Sequence, residues 1–312
     1  MVNVVLLCPG QGAQRVGMGK DLAERFPLAR EVFESVDEAL GLSVSRLAWE
    51  GPEADLTLTH NAQPAILTHT LAVYAVVRER LRPAAAAGHS LGEYSAYVTA
   101  GSLARADAAR LVRRRGELML EAGQRRPGTM AAVLGLAGDA VAEVCREATS
   151  ASEVAVAANF NAPDQTVISG DPPAVERAGQ RCKAAGAKRV LPLKVSGAFH
   201  SPLMAPAQLG LQAELERVAF ADPRFPVIAN ATAQPARDAG TARRLLGEQL
   251  TAPVRWVEGM RAAAGLAGAG VTFLEIGPGN VLTGLLKRIL PEAASLSLGT
   301  ADEVHQFLEW AA

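Results

Sequence analysis

The sequence predicts an α/β protein in which a mostly parallel sheet carries an inserted α+β unit. The apolar, β-branched run Val2–Leu7 has the pattern of a strand buried on both faces of a parallel sheet. Further on, helical periodicity alternates with short strand-like runs. From about Gly128 to Lys194 the pattern changes to β-α-β-β-α-β, which is the order of a ferredoxin-like unit.

Outside this unit the apolar periodicity predicts longer helices and a late strand. They are the helices Leu22–Leu40, Pro64–Leu81, Ala106–Ala122, Leu209–Val218 and Thr241–Leu250 and the strand Val271–Ile276. We therefore expect residues 1–127 and 195–312 to form an α/β core and residues 128–194 to form an inserted subdomain.

Composition excludes several classes of protein. Of 312 residues, 49% are hydrophobic and 20% charged, which excludes a disordered chain. The net charge of −1 leaves no strong field for nucleic acid or an anionic membrane. The uncharged run Leu56–Val77 carries too many polar residues for a membrane span and predicts a buried helix. Three scattered cysteines indicate reduced thiols in a cytoplasm rather than disulfides or a metal site.

The strongest local signal is the G-x-S-x-G motif at 88–92. Small residues around Ser90 permit the strained turn from a strand into a helix that exposes a nucleophilic hydroxyl. The alternative is a structural glycine turn. The run Ala84–Ala87 before it is a poor strand by propensity and requires burial to form one.

A nucleophilic serine needs a base, and position favours His200 among the five histidines. His200 follows a predicted strand and precedes Ser201-Pro202, the pattern of a helix N-terminus. His305 lies in an amphipathic C-terminal stretch and is better explained as a surface or core-edge residue. A lone histidine is often structural, so the pairing with Ser90 depends on the fold.

The loop Pro9–Gln14 follows the first predicted strand. As a dinucleotide-binding loop it fits poorly, because Arg15 stands where G-x-G-x-x-G requires its third glycine. A backbone N–H donor to an oxyanion and a plain tight turn both remain possible.

Arg115 lies on the apolar face of its predicted helix. Its neighbours three and four positions away are all apolar: Leu111, Val112, Leu118 and Met119. An inward guanidinium needs an anion, which is either a buried carboxylate of the protein or the carboxylate of a substrate.

Eight motifs follow one another along the chain: PGQGAQ, NAQPA, GHSLGEYSA, RRRGELM, NFNAPDQTVISG, GAFHSPLM, QLTAPVRW and EIGPGNVLTG. Together they resemble the malonyl-CoA:acyl carrier protein transacylases of type II fatty acid synthesis and the acyltransferase domains of polyketide synthases. The resemblance implies an α/β-hydrolase-like core with an inserted ferredoxin-like subdomain. It also implies transfer of malonyl from malonyl-CoA to the phosphopantetheine thiol of acyl carrier protein, for fatty acid biosynthesis.

The resemblance implies roles for individual residues. Ser90 would be the acylated nucleophile and His200 its base, with the backbone N–H groups of Gln11 and Leu91 forming the oxyanion hole. Arg115 would bind the free carboxylate of malonyl.

The resemblance further implies that the main-chain carbonyl of Gln249 orients the histidine. Phe199 matches the bulky residue that accompanies malonyl selection, and Asn161 and Gln165 would line the pocket. Neither a metal nor an organic cofactor is implied, and the family suggests a monomer.

An acidic carrier protein predicts a basic rim near the pocket. The candidates are Lys188, Arg189, Lys287 and Arg288, each of which is equally well explained as an ordinary solvated charge.

Three alternatives remain at the level of sequence. A serine esterase shares the G-x-S-x-G motif and would ordinarily place its histidine late, which favours His305. A noncatalytic carrier-binding module would not need Ser90. A discrete malonyl acyltransferase that serves a polyketide synthase in trans would look almost the same.

Overall fold

The computed structural model describes residues 1–311, which form two sheets packed among helices. The strands are β1 (Val2–Cys8), β2 (Leu81–Gly88), β3 (Thr129–Leu134), β4 (Ala155–Ala162), β5 (Gln165–Gly170), β6 (Arg189–Pro192), β7 (Val227–Ile228), β8 (Pro235–Ala236), β9 (Thr272–Ile276) and β10 (Ser295–Leu298). The α-helices are α1 (Lys20–Arg25), α2 (Pro27–Leu40), α3 (Val44–Glu50), α4 (Glu53–Leu56), α5 (Thr59–Val77), α6 (Gly92–Thr99), α7 (Arg105–Arg125), α8 (Gly138–Ala148), α9 (Pro172–Ala184), α10 (Ala205–Glu216), α11 (Ala239–Glu248), α12 (Trp256–Ala267), α13 (Val281–Ile289) and α14 (Ala301–Trp310).

The larger sheet has the strand order β10-β9-β1-β2-β7-β8 and is parallel except for the β7–β8 pair. Alternate residues of β1 enter different apolar clusters, Leu6 on one face and Leu7 on the other. Burial on both faces explains the continuous apolar pattern of this strand. The predicted α/β class with a mostly parallel sheet is confirmed.

The smaller sheet is antiparallel, with the order β4-β5-β3-β6. Its elements follow one another as β3-α8-β4-β5-α9-β6, which is the β-α-β-β-α-β order that the sequence pattern predicts. A separate apolar cluster that includes Val141, Ile168 and Val175 fills the space between this sheet and its two helices. Strand β4 contacts the segment between α11 and α12, where the N–H of Phe160 donates a hydrogen bond to the carbonyl of Val254 (2.9 Å).

Two of the predicted helices have different boundaries in the structure. The predicted helix Leu22–Leu40 is two helices, because the chain is extended at Phe26 and restarts at Pro27, whose fixed φ suits a first helical position. The predicted helix Pro64–Leu81 begins five residues earlier and ends at Val77, and Leu81 opens β2 instead.

The uncharged run Leu56–Val77 forms the buried helix α5, as expected. Pro64 lies inside it and has no N–H, so the carbonyl of His60 lacks a helical donor. That carbonyl accepts a hydrogen bond from Arg113 of the adjacent α7 instead (3.1 Å). Across residues 1–311, no helix combines the length and the apolar character that crossing a bilayer requires.

The alanine-rich run before the G-x-S-x-G motif belongs to a central strand. β2 lies between β1 and β7, and Ala85, Ala86 and Ala87 are buried. Burial therefore overrides weak strand propensity. β1 and β2 end side by side, with Cys8 opposite Gly88, so the loops after both strands meet at the carboxyl edge of the sheet.

Candidate active site

Ser90 occupies a tight turn between β2 and α6, with a left-handed φ of +52°. The two flanking glycines permit this turn because the backbone is crowded there. A Cβ on Gly88 would lie 1.9 Å from the carbonyl carbon of Gly92, and one on Gly92 would lie 2.0 Å from the carbonyl oxygen of Cys8. The geometry is that of the strained turn that exposes a serine hydroxyl in G-x-S-x-G proteins.

This crowding predicts a large cost for a methyl group at the turn. We expect Gly88→Ala to lower the free energy of unfolding by about 3 kcal/mol or to prevent folding, because backbone atoms cannot move aside. The matched control is Gly265→Ala in α12, where an added Cβ meets no atom within 4 Å. Denaturant unfolding should show that the control is neutral or stabilised by up to about 1 kcal/mol; equal stability of the two variants would contradict the crowding argument.

His200 lies next to the serine. Its Nε2 is 2.8 Å from Ser90 Oγ, and its Nδ1 lies 3.0 Å from the carbonyl oxygen of Gln249 and 3.2 Å from that of Ala252. Carbonyl oxygens only accept hydrogen bonds, so Nδ1 carries the proton and Nε2 is free to accept the serine proton. Two carbonyls therefore take the orienting place that a carboxylate holds in a Ser-His-Asp triad.

Burial and the nearby Arg115 cation lower the pKa of His200 from 6.5 to about 3. The imidazole is thus uncharged at neutral pH, the form in which it acts as a base.

The lowered pKa of His200 predicts the pH dependence of enzyme acylation. A base works unprotonated, so activity is lost as pH falls through its pKa in the folded protein. With a pKa of about 3, the rate should change little between about pH 7 and pH 5. Quenched-flow experiments measure the acylation rate at each pH, and circular dichroism verifies that the protein is folded. A rate that falls to half near pH 6.5 would contradict the prediction.

Arg115 is buried, with 1% of its surface exposed, and points at the serine. Its guanidinium donates to Ser90 Oγ (3.0 Å) and to the side-chain oxygens of Gln63 (2.8 Å) and Gln249 (2.9 Å). Its Nε has no partner within residues 1–311, and no carboxylate there forms an ion pair with it. Of the two anions considered for an inward Arg115, a carboxylate of the protein in direct contact is thereby excluded.

The predicted oxyanion donors lie on the two loops that meet at the sheet edge. Gln11 follows β1 and lines the cavity, and Leu91 follows Ser90 at the start of α6. Within the described chain no hydrogen bond uses the N–H of either residue as its donor. Neither N–H group therefore has an acceptor within residues 1–311.

Ser90, His200, Arg115 and Gln11 border one cavity of about 340 Å³ between the larger sheet and the smaller one. Its lining combines the polar residues named above with apolar and amide side chains, among them Met119, Met130, Asn159, Asn161, Val167, Leu193, Val195 and Phe199. Asn161 Oδ1 is 2.8 Å from His89 Nε2, so a second, half-buried histidine also borders the space.

Gln165 is the exception among the expected pocket residues. It is absent from the cavity lining, and its side chain accepts a hydrogen bond from Arg288 at the surface (2.5 Å). The expectation that Gln165 lines the pocket is therefore corrected. The reason is positional: Gln165 opens β5 after a tight turn and faces α13, whereas Asn161 near the end of β4 faces the cavity.

The remaining histidines lie outside the cavity lining. His69 is buried with Nε2 2.9 Å from the carbonyl oxygen of Gly299, and burial lowers its pKa to about 4. His305 is exposed on α14 and lies 3.3 Å from Glu309. Among the expected rim cations, Arg288 pairs with Asp164, while Lys194, which was not among them, lines the cavity.

Sequence reasoning missed four buried polar residues around the serine: Gln63, Glu93, Asn230 and Gln249 through its side chain. For Gln63 and Glu93 a signal existed, because each is a polar residue within a segment that is otherwise buried. Asn230 lies in a loop after β7, where its sequence context is that of an ordinary turn.

Comparison with known proteins identifies relatives over the whole chain. The family model of the acyl transferase domain matches residues 5–303. The malonyl CoA-acyl carrier protein transacylase of Bacillus subtilis (strain 168) is 44% identical over 305 residues, covering 97% of this chain and 96% of the relative.

Two solved structures are similar throughout. An acyl carrier protein S-malonyltransferase from Vibrio cholerae has a TM-score of 0.92 at 40% identity and covers 98% of this chain and 100% of its own. The second is a structure of a type II PKS acyl-carrier protein in complex with its malonyl-transacylase. The matched chain in it has a TM-score of 0.92 at 41% identity, and the match covers 99% of this chain and 99% of that one. Because the family model matches nearly the full length of the chain, the chain belongs to the acyl transferase domain family.

Proposed function

We propose that the protein transfers the malonyl group from malonyl-CoA to the phosphopantetheine thiol of an acyl carrier protein, for fatty acid biosynthesis. The observation that carries this proposal is the position of Ser90 Oγ, 2.8 Å from the His200 base and 3.0 Å from the Arg115 cation. A nucleophile beside a cation without a carboxylate partner suits an acyl group with a free carboxylate. The names of the Bacillus and Vibrio relatives describe the same transfer.

In the first half-reaction, His200 Nε2 takes the proton of Ser90 as Oγ attacks the thioester carbonyl carbon. The N–H groups of Gln11 and Leu91 stabilise the oxyanion of the tetrahedral intermediate. The C–S bond then breaks, and His200 returns the proton to the sulfur of coenzyme A, leaving malonyl on Ser90.

In the second half-reaction the carrier's thiol gives its proton to His200 and attacks the malonyl ester. The C–O bond to Ser90 breaks, and Oγ recovers the proton from His200. Because water would release malonate instead, transfer requires that the cavity exclude water from the ester. The apolar lining provided by Met119, Met130 and Phe199 supports this exclusion.

Selection of malonyl is assigned to Arg115. In a malonyl ester the carboxylate lies two bonds beyond the ester carbonyl carbon, within reach of a guanidinium that already contacts Oγ. An acyl group without a carboxylate would leave the buried cation unpaired. Phe199 borders the same cavity and narrows it, which suits malonyl over a branched analogue; Asn161 borders it from the other sheet.

The fold division completes the proposal. We assign residues 1–127 and 195–312 to an α/β-hydrolase-like catalytic core and residues 128–194 to a ferredoxin-like subdomain. The support is the G-x-S-x-G turn at the carboxyl edge of the larger sheet, and the separate antiparallel sheet with its own apolar cluster. The family resemblance suggests a monomer, and the three free, buried cysteines suit a cytoplasmic location.

A second candidate is a malonyl acyltransferase that serves a polyketide synthase in trans. This candidate is supported by one similar structure, a malonyl-transacylase bound to a type II PKS acyl-carrier protein. The chemistry on Ser90 is the same in both roles, and they differ in the carrier. Lys194, which lines the cavity, is the cation that would meet an acidic carrier.

Intact-protein mass spectrometry tests the proposal. The protein is mixed briefly with malonyl-CoA, acetyl-CoA or methylmalonyl-CoA, and a holo acyl carrier protein is then added. A malonyl adduct that forms in preference to the others and disappears onto the carrier is the expected result. Release of free coenzyme A without an adduct or a malonylated carrier would indicate a hydrolase instead. Comparing fatty acid and polyketide carriers separates the two roles.

A further inference from the structure

A buried carboxylate beneath the nucleophile turn belongs to Glu93, the second residue of α6. It is fully buried, and its Oε2 accepts two hydrogen bonds, from the side-chain Nε2 of Gln249 (2.7 Å) and from the backbone N–H of Asn230 (3.1 Å). These donors come from two segments distant in sequence, after α11 and after β7. One oxygen of Glu93 therefore fixes both segments relative to α6.

Asn230 and Gln249 in turn hold the backbone of Ser90. The N–H of Ser90 donates to Asn230 Oδ1 (2.7 Å), and the carbonyl of Ser90 accepts from Gln249 Nε2 (2.9 Å). Asn230 Nδ2 also donates to the carbonyl of Gly88 (2.7 Å), one end of the same turn. A residue with positive φ persists only when its surroundings hold it, and these contacts do so.

The same glutamine holds the arginine. Gln249 Oε1 accepts from Arg115 (2.9 Å), while its Nε2 points at the Glu93 carboxylate. An amide has one accepting and one donating end, so an acceptor on one side and a cation on the other allow a single orientation. Without Glu93 the amide would lose one of the two acceptors, the other being the carbonyl of Ser90, that direct its oxygen to Arg115.

We propose that Glu93 is a positioning residue for acyl transfer, which acts through Asn230 and Gln249 on both the serine turn and Arg115. This inference rests on the proposed function. Glu93 does not line the cavity and touches no reacting atom. Its effect is on geometry, so what matters is where its oxygen lies rather than whether the carboxyl group, whose pKa burial raises to about 7, is ionised.

Two conservative variants separate position from charge. Glu93→Gln keeps an accepting oxygen at the same distance from the backbone and removes the charge. Glu93→Asp keeps the charge and withdraws the oxygen by about one bond, roughly 1.5 Å. We expect Glu93→Asp to slow malonylation by about 100-fold, because misplacing catalytic groups by about 1 Å reduces the rate by about that factor. The variant should also lower the malonyl-to-acetyl rate ratio. Glu93→Gln should stay within about 5-fold of the unmodified protein.

Acylation rates with malonyl-CoA and acetyl-CoA are measured by quenched-flow mass spectrometry, with melting temperatures recorded in parallel. Glu275→Gln is the matched control, because Glu275 is equally buried but caps α13 through the N–H groups of Leu282 and Thr283. It should lower the melting temperature and leave the rate ratio unchanged.

Three outcomes decide between the explanations. A malonylation rate of Glu93→Asp equal to or above that of Glu93→Gln would overturn the positioning role while the proposed function stands. An unchanged rate ratio in Glu93→Asp would do the same. If the unmodified protein forms no malonyl adduct, the proposed function fails, and the inference fails with it.

Discussion

Replacing Ser90 with alanine is expected to abolish the malonyl adduct altogether, because the variant lacks the hydroxyl that lies beside the His200 base. Ser90 Oγ is the atom shared by the His200 and Arg115 contacts. The variant should nevertheless fold and bind malonyl-CoA, since the turn is held through the backbone of residue 90. Intact-protein mass spectrometry after mixing with malonyl-CoA measures the adduct, and isothermal titration measures binding.

His200→Ala should still form the adduct but about 10²- to 10⁴-fold more slowly, the usual contribution of a positioned general base. His305→Ala is the matched control, because His305 is exposed on α14 and remote from the cavity lining. It should acylate at the normal rate. A malonyl adduct on Ser90→Ala, or a slow His305→Ala beside a normal His200→Ala, would overturn the assignment and restore the esterase arrangement.

Replacing Arg115 should change which acyl group the protein accepts. Arg115→Met fills similar space without charge, so we expect malonylation to fall by about 10²- to 10³-fold, which corresponds to about 3–4 kcal/mol for a lost buried charge pair. The acetylation rate should fall less or rise, because an acetyl group bound in this variant leaves no buried cation without an anion. Acylation rates measured with malonyl-CoA and acetyl-CoA give the ratio.

Arg114→Ala is the control for this change. Arg114 is on the same helix, but it faces solvent and pairs with Glu117 and Glu121. Its removal should leave the malonyl-to-acetyl ratio unaltered. If Arg115→Met is folded and its malonyl-to-acetyl rate ratio is unchanged, Arg115 does not determine selectivity. Phe199 would then be the candidate for that role.

Much of the fold follows from local patterns. The apolar run of β1, the β-α-β-β-α-β order from β3 to β6 and the buried α5 are each encoded in consecutive residues. Helix boundaries were less predictable, because the break at Pro27 and the extension of α5 through Pro64 depend on what the flanking groups contact. The β2 run of alanines forms a strand because its neighbours bury it.

By itself, the sequence determined the residues whose role depends on adjacent positions. Ser90 needs small neighbours for its turn, and Arg115 needs an apolar helix face, and both requirements can be seen in a few consecutive residues. Position along the chain favoured His200 among the histidines, and the motif resemblance added Gln11, Leu91 and the carbonyl of Gln249.

Only the tertiary structure decided how these groups meet. Ser90 and His200 are 110 positions apart, and Gln249 lies a further 49 beyond His200, so their hydrogen bonds exist only once the sheet brings three loops to one edge. The same applies to Glu93 and its partners, and to Gln165, which a turn directs to the surface. Side-chain direction depends on packing between distant segments, and that information is not carried by any local stretch of the chain.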